Sequence, residues 1–209
     1  MDQSLYKIVG RSGAGSLVVE FLFAEIGVHY EIIFTDPKEF KNGNFASTHP
    51  LGRIPILICP DQSMIFETFA IVNHITDRFN KLVPERATNL YDRYNQFLSL
   101  MATSIYPAYH RQHHSQYYIG KGSFEELRFC AHKEQLEIYD YIENELAPFI
   151  CGDVLTAADF YLYMLLRWDL HKGVLFDGRP ELRSFFKIMR KKPSIARVLE
   201  SQPMRRTKI

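Results

Sequence analysis

The chain has 209 residues, of which 46% are hydrophobic and 23% charged, and its 25 lysines and arginines nearly balance its 24 aspartates and glutamates. This length suits one large domain or two small ones, and the composition excludes a disordered or fibrous protein. The balanced charge argues against nucleic acid or an anionic membrane as partner. The N-terminal residues MDQSLYKIVG resemble neither a signal nor a transit peptide, which favours a cytoplasmic protein. The apolar run FYLYMLL is far shorter than the roughly 20 residues of a spanning helix, so no membrane insertion is expected.

The first half of the chain alternates predicted strands and helices. Residues 5–10 predict a strand, the apolar spacing over 14–26 predicts a helix, and 28–36 predict a second strand. This β-α-β order favours a parallel strand pair. After a loose region at 36–52, the segments IPILICP and SMIFE flank a PDQ turn and predict an antiparallel hairpin. Apolar residues at helical spacing from Phe69 to Phe79 then predict a further helix.

The second half predicts helices alone. The segment NKLVPERATN at 80–89 interrupts the pattern with a proline and mixed charge, so it marks a domain boundary. Beyond it, a helical apolar stripe runs from Tyr94 to Ile105, and SFEE at 123–126 is a capping box that starts a long helix. A second capping box, TAAD, pairs Thr156 with Asp159. The helix after it is apolar on every side, which predicts the buried centre of an all-helical domain.

The glycine-rich turn VGRSGAGSL at 9–17 is the first candidate site. It is not a phosphate-binding loop, because Ser16 and Leu17 stand where lysine and a hydroxyl are needed. A dinucleotide fingerprint fails because Val18 stands where the third glycine belongs. A helix N-terminus with the hydroxyls of Ser12 and Ser16 suits a thiolate, since it would lower the pKa of a thiol from ~8.5. The alternative is that one serine only caps the helix and the glycines only turn the chain.

Three later segments resemble the cytosolic glutathione transferase superfamily. HPLGRIPIL is similar to its N-P-x-G-x-V-P-x-L motif, ETFAIVNHI to E-S-x-A-I-x-x-Y-I, and CGDVLTAADFYL to its G-x-x-x-[ST]-x-A-D capping box. The motifs occur in the family's order, and the resemblance runs from residue 4 to about 200. It implies an α/β thioredoxin-like N-terminal domain over 3–80 and an all-α C-terminal domain over 88–205. It also implies a two-fold homodimer.

The same resemblance implies glutathione as co-substrate and assigns its binding residues. Pro55 would be a cis proline that leaves the backbone of Ile54 free to pair with the cysteinyl amide groups of glutathione. Glu67 and Thr68 would hold the γ-glutamyl ammonium and carboxylate at the start of a helix. The alternative is an ordinary acidic first turn. Arg53 is a candidate partner for a glutathione carboxylate, and equally a solvated arginine.

The glycine-rich turn departs from the family pattern. Bacterial beta-type relatives carry GAC where this chain has GAG, so Gly15 replaces their cysteine and mixed-disulfide chemistry is lost at that position. Theta-like classes use a serine near this point, which leaves Ser12 and Ser16 as candidate donors to the thiol. Tyr6 on the preceding strand is one of several residues able to approach it. His49 replaces the family's usual asparagine before the proline.

The segment YPAYHRQHHSQYY at 106–118 holds the remaining candidates. The resemblance implies that this end of the first long helix lines the electrophile pocket, with contacts from Tyr106, Tyr109, His110 and His113. The alternative is a surface cluster of aromatic rings and histidines. The H-x-x-x-H spacing of His110 and His114 suits a metal, but no acidic residue nearby completes a ligand set, so no metal is predicted. All three cysteines lack a C-x-x-C partner and are predicted to be buried, unreactive thiols.

The sequence therefore predicts an enzyme that activates the glutathione thiolate for attack on a small electrophile. A glutathione-dependent isomerase or reductive dehalogenase would use the same thiolate on another substrate. The alternative from a different class is a non-catalytic scaffold of the same fold that binds a protein partner.

Overall fold

In the computed structural model, which describes residues 5–35, 45 and 48–203, four strands form one mixed sheet. The strands are β1 (Tyr6–Gly10), β2 (Tyr30–Phe34), β3 (Ile56–Ile58) and β4 (Met64–Phe66), in the order β2-β1-β3-β4. β1 and β2 are parallel, whereas β3 is antiparallel to both β1 and β4. The β-α-β unit and the hairpin predicted from the sequence are therefore confirmed. The loose region predicted at 36–52 lies largely outside the described residues.

Two helices pack with this sheet in the first unit, α1 (Ser16–Ile26) and α2 (Thr68–Phe79). Every residue of α1 from Ser16 to Phe23 is buried, because this apolar helix is covered on most of its surface. α1 ends at Gly27, whose φ of 86° is left-handed and whose amide donates to the Phe23 carbonyl at 2.9 Å. α1 begins six residues after the end of β1, and α2 begins two residues after the end of β4.

The second unit is helical. Its elements are α3 (Asn89–Leu100), a π-helical turn (Met101–Ile105), α4 (Tyr106–His113), a 3-10 turn (Ser115–Tyr117), α5 (Phe124–Glu145), α6 (Ala157–Trp168), α7 (Lys172–Leu175) and α8 (Pro180–Arg190). The apolar stripe predicted from Tyr94 to Ile105 is buried. The π-helical turn ends two residues before Pro107, which has no N–H to donate to a carbonyl one α-turn earlier, and the helix adjusts there as expected for an internal proline.

Thr156 and Asp159 form the predicted capping box at the start of α6. The Asp159 carboxylate accepts hydrogen bonds from the Thr156 amide at 2.7 Å, the Thr156 hydroxyl at 3.0 Å and the Ile150 amide at 2.8 Å. Burial raises the pKa of Asp159 to about 6 although these donors act in the opposite direction. All α6 residues from Ala157 to Leu166 are buried, so the predicted central helix is confirmed.

The last helix, α9 (Pro193–Ser201), belongs to the first unit. The described residues form two compact units, one reaching to Leu82 and resuming at Arg190, the other Val83–Met189. The prediction that the helical domain extends over 88–205 therefore differs from the structure at its C-terminal end. The reason is that α9 packs on α1, where Glu25 pairs with Lys192 at 3.0 Å and accepts a hydrogen bond from Ser194. Among the helices described, none is long and apolar enough to cross a membrane.

Candidate glutathione site

The turn between β1 and α1 buries one of the two candidate serines. Ser16 is fully buried, and its hydroxyl donates to the Arg11 carbonyl at 3.2 Å. A Cβ on Gly10 would lie 2.4 Å from both Cβ and Oγ of Ser16, so glycine is required there. The N-cap residue of α1 is Gly15 and no described side chain caps it, so the alternative in which a serine caps the helix is wrong. The buried Ser16 hydroxyl therefore stabilises the turn through its bond to the Arg11 carbonyl.

Ser12 and Gly13 contact the C-terminal segment. The Ser12 hydroxyl donates to the Pro203 carbonyl at 2.9 Å, and the Gly13 amide donates to Gln202 Oε1 at 3.2 Å. The Gln202 amide then donates to Glu20 Oε2 at 2.9 Å. Glu20 is only 1% exposed, and burial raises its pKa to about 7. Two donors at the turn are thus directed at the chain's own C-terminal segment.

The cis-proline loop precedes β3. The Ile54–Pro55 peptide bond is cis, as predicted. Ile54 is half-buried and lies ahead of Ile56, the first residue of β3 to pair with the neighbouring strands. Pro55 is buried, whereas Arg53 is exposed. The backbone of Ile54 therefore lies outside the ladder of the sheet, and Arg53 is at the surface.

The start of α2 is a candidate anion site in the first unit. Glu67 follows β4 with φ 67° and ψ 121°, and Thr68 begins the helix. No described side chain caps this end, and the first amides of a helix have no acceptor within it. The Glu67 side chain is 65% exposed, whereas Thr68 is 7% exposed. The arrangement suits a carboxylate at the amides and a cation at Glu67.

His49 also lies at the start of α2. The sequence indicated only that it replaces the family's usual asparagine. Its Nε2 lies 3.0 Å from Glu67 Oε1, and its Nδ1 accepts a hydrogen bond from the Leu51 amide at 3.0 Å. The side chain is 4% exposed. Its place directly before Pro50 was the available signal, but nothing in the sequence showed that it meets Glu67.

The four candidates for the electrophile pocket separate into different surroundings within the helical unit. The ring of Tyr106 is half-buried and meets Trp168 edge-on, with centroids 5.0 Å apart. Tyr109 is 2% exposed, and its hydroxyl lies 3.3 Å from the Tyr139 hydroxyl. Burial raises the pKa of Tyr109 well above its ordinary value. Tyr109 therefore presents no exposed hydroxyl.

His110 and His113 lie near the end of α4. His110 shares a hydrogen bond of 2.8 Å with the Tyr118 hydroxyl, and its ring lies 4.8 Å from that of His114. His113 is exposed and stacks on Tyr109, with centroids 6.1 Å apart. His110 thus belongs to an aromatic and histidine cluster, whereas His113 accompanies Tyr109.

Tyr109 and His113 line a cavity of about 450 Å³ in the helical unit, together with Gln112, Arg128, Phe129, His132, Asp169, Leu170 and His171. Asp169 is buried and accepts hydrogen bonds from the Gln135 side chain at 3.2 Å and the His171 amide at 2.7 Å. No motif surrounds Asp169 in the sequence, so this cavity had no sequence signal.

The three cysteines lie in different surroundings. Cys59 and Cys151 are buried, as predicted, and burial raises the pKa of both thiols. Cys130 is exposed, so its predicted burial is wrong, because it lies on a solvent-facing side of α5. Within the described ranges, no group of three or more histidine, cysteine, aspartate or glutamate side chains is placed to hold a metal ion.

Comparison with known families matches both halves of the chain. Residues 2–77 match the family model "Glutathione S-transferase, N-terminal domain", and residues 97–193 match "Glutathione S-transferase, C-terminal domain". A curated relative, Glutathione S-transferase GstA of Escherichia coli O157:H7, is 23% identical over 206 residues and aligns with 95% of this chain and 100% of its own length.

Solved structures resemble the whole fold. A glutathione transferase homologue from Sulfitobacter, solved with bound glutathione, has a TM-score of 0.86 at 20% identity and covers 94% of this chain and 98% of its own. The nitrogen regulation fragment of the yeast prion protein Ure2p has a TM-score of 0.83 at 21% identity and covers 97% of this chain and 99% of its own. The fold class predicted from the sequence is therefore confirmed.

Proposed function

Because the chain belongs to the glutathione S-transferase superfamily, we propose that it binds glutathione at the cis-proline loop and the start of α2 and directs its thiolate at a small electrophile. The observation that carries this is the N-terminus of α2, which no described side chain caps and which lies beside the exposed carboxylate of Glu67 and the hydroxyl-bearing Thr68. The helix amides suit the γ-glutamyl carboxylate, and Glu67 suits its ammonium group. The backbone of Ile54 pairs with the cysteinyl amide groups, and Arg53 is available to a carboxylate at the surface.

In the reaction, glutathione loses its thiol proton to solvent and the sulfur lone pair forms a carbon–sulfur bond with the electrophile. The displaced electron pair leaves with a leaving group or moves into a conjugated double bond. Of the two candidate serines, Ser12 is favoured as donor to the sulfur, because Ser16 is fully buried whereas Ser12 is only half-buried. The Ser12 hydroxyl would exchange its bond to the Pro203 carbonyl for a bond to the sulfur. Tyr106, Tyr109, His110 and His113 remain the proposed electrophile contacts.

The test is a titration with reduced glutathione at neutral pH, followed by the ultraviolet absorbance of the bound thiolate. We expect a thiolate band in the wild type, a weaker band in Ser12→Ala, and an unchanged band in Ser16→Ala once its folding is verified by circular dichroism. Absence of any glutathione binding would refute the proposal. Assays with haloalkanes, haloaromatics and isomerisable substrates then separate transfer from glutathione-dependent isomerisation or dehalogenation.

A scaffold that binds a protein partner is the second candidate. It is favoured by Gly15 in place of the family's cysteine and by the engagement of Ser12 and Gly13 with the C-terminal segment. A tripeptide site at α2 has no purpose in such a scaffold, so the result that would favour it is no glutathione binding together with no turnover on any electrophile. That result would turn the search to protein partners.

A homodimer in the cytoplasm completes the proposal. Leu51, Met64 and Phe66 expose 63%, 46% and 38% of their surfaces in the first unit, and β4 is an edge strand. Exposed apolar side chains near an open edge are typical of a surface that a partner covers. Sedimentation velocity is expected to give a dimer, and Leu51→Glu is expected to weaken it. A monomeric wild type would contradict this part of the proposal.

A further inference from the structure

We infer that His49 is a positioning residue for Glu67: it ties the cis-proline loop to the start of α2 and aims one carboxylate at the ammonium group of the γ-glutamyl moiety. This inference rests on the proposed function. It goes beyond that function because neither the motifs nor the family assignment gives His49 a role, and asparagine is the usual residue at its position.

The hydrogen bonds of His49 define its protonation pattern. The Leu51 amide donates to Nδ1 at 3.0 Å, so Nδ1 acts as acceptor and the ring carries its proton on Nε2. Nε2 then donates to Glu67 Oε1 at 3.0 Å. The pair is a neutral donor on a carboxylate rather than two opposite charges. Glu67 therefore keeps its negative charge for a ligand cation.

Burial differs sharply across this pair. His49 is 4% exposed, whereas the Glu67 side chain is 65% exposed. The Phe66 ring meets the imidazole edge-on, with centroids 5.0 Å apart, and Phe66 is itself paired with Ile56 of β3. The His49 imidazole is thus held in place by its buried surroundings, whereas the Glu67 carboxylate is accessible to solvent. This arrangement is expected where a buried residue orients another residue that contacts a ligand.

The backbone at Glu67 supports the same conclusion. Its φ of 67° lies in the left-handed region that side-chain-bearing residues seldom adopt. Such conformations persist where surrounding contacts hold them, and they concentrate at ligand-binding clamps. The bond from His49 is one contact that holds Glu67 here, and it joins the loop before Pro55 to the helix that follows β4.

The experiment measures glutathione affinity by isothermal titration calorimetry for the wild type, His49→Phe, His49→Gln, Glu67→Gln and the double variant His49→Phe/Glu67→Gln. Loss of one hydrogen bond to a carboxylate predicts a weakening of about fivefold to tenfold in His49→Phe. His49→Gln retains a donor and an acceptor and is expected to restore most of the affinity. The double variant is expected to bind no more weakly than Glu67→Gln, because His49 acts through Glu67. His29→Phe, at an exposed histidine of the same unit, is the matched control.

A second ligand separates positioning from a general structural effect. Glutathione that lacks the γ-glutamyl amino group makes no ammonium contact, so His49→Phe is expected to leave its affinity unchanged. Equal weakening of both ligands, additive effects of the two substitutions, or unchanged glutathione affinity in His49→Phe would each overturn the inference. A wild type that binds no glutathione would instead overturn the proposed function, and the inference with it.

A measurement on the wild type covers the case in which His49→Phe does not fold. Nitrogen-15 NMR of the imidazole is expected to show the proton on Nε2, and Glu67→Gln at an exposed position is expected to shift that resonance. A proton on Nδ1, or no response to Glu67→Gln, would overturn the inference.

Discussion

The two helix N-termini of the first unit differ in what satisfies their polar groups. At the start of α1, the Ser16 hydroxyl bonds to Arg11, the Ser12 hydroxyl to Pro203 and the Gly13 amide to Gln202. Neither helix has a described side chain as its N-cap, but at the start of α2 the Glu67 side chain extends into solvent. The same secondary-structure feature is closed by the protein in one place and open to a ligand in the other.

This difference teaches that a helix N-terminus after a strand is not by itself a binding site. The dipole and unpaired amides are common to both ends, so neighbouring groups decide which end remains available. We therefore expect α2 to determine glutathione affinity, and the turn before α1 to govern folding stability and, more weakly, the state of the thiol.

The largest effect is expected at the open end. Glu67→Ala removes the carboxylate that faces the ligand ammonium, so glutathione affinity is expected to fall by roughly 30-fold to 100-fold. Calorimetric titration measures this, with His29→Ala, at an exposed position of the same unit, as the control expected to leave the affinity unchanged. A Glu67→Ala protein that binds glutathione as tightly as the wild type would show that the start of α2 does not determine the affinity.

At the closed end, Gly10→Ala is expected to destabilise the fold by about 2 kcal/mol, because its Cβ meets the buried Ser16 side chain. Chemical denaturation measures the loss, and Ser16→Gly in the same chain is expected to recover part of it by removing the atoms in conflict. Gly173→Ala is the control, since a Cβ at Gly173 has nothing within 4 Å. Equal stability of Gly10→Ala and wild type would show that the turn is looser than its packing indicates.

Glu20 makes the closed end sensitive to pH. Because burial raises its pKa to about 7 in the folded protein, the folded state holds the proton more tightly than the unfolded state. The resulting stabilisation is complete below the unfolded pKa and is lost as pH rises through about 7. Glu20→Gln is expected to remove this decline and to be more stable than the wild type at pH ~8 by roughly 1–2 kcal/mol. Parallel stability curves against pH for the two proteins would refute it.

The smallest effect is expected from the C-terminal contact. Gln202→Ala removes the Oε1 acceptor of the Gly13 amide and is expected to lower the pKa of bound glutathione by about 0.3–0.5 unit, since that amide can then turn toward the sulfur. The pH dependence of the thiolate absorbance measures this shift. Lys187→Ala, an exposed position on α8, serves for comparison. An unchanged or raised thiol pKa in Gln202→Ala would show that the Gly13 amide takes no part in activation.

The elements themselves followed from local patterns. The apolar spacing over 14–26 and the PDQ turn depend on neighbours in sequence, which is why α1 and the β3–β4 hairpin agree with prediction. The resemblance to known motifs supplied the cis bond at Pro55 and the start of α2. The prediction that Cys130 is buried was wrong because its apolar neighbours on α5 do not show which side of the helix faces the core.

By itself, the sequence determined the order of the strands and helices and the capping box at Asp159, because each depends on contacts within a few positions. The resemblance placed Glu67 and Thr68 at the start of a helix, and their role in glutathione binding stays a prediction. Only the tertiary structure decided that Ser16 is buried, that Gln202 meets Gly13 and that His49 supports Glu67. These contacts join residues 18 to 189 positions apart or depend on packing around a turn. Hydrogen bonds across such distances leave no periodicity or spacing in the chain, since the fold alone brings their partners together.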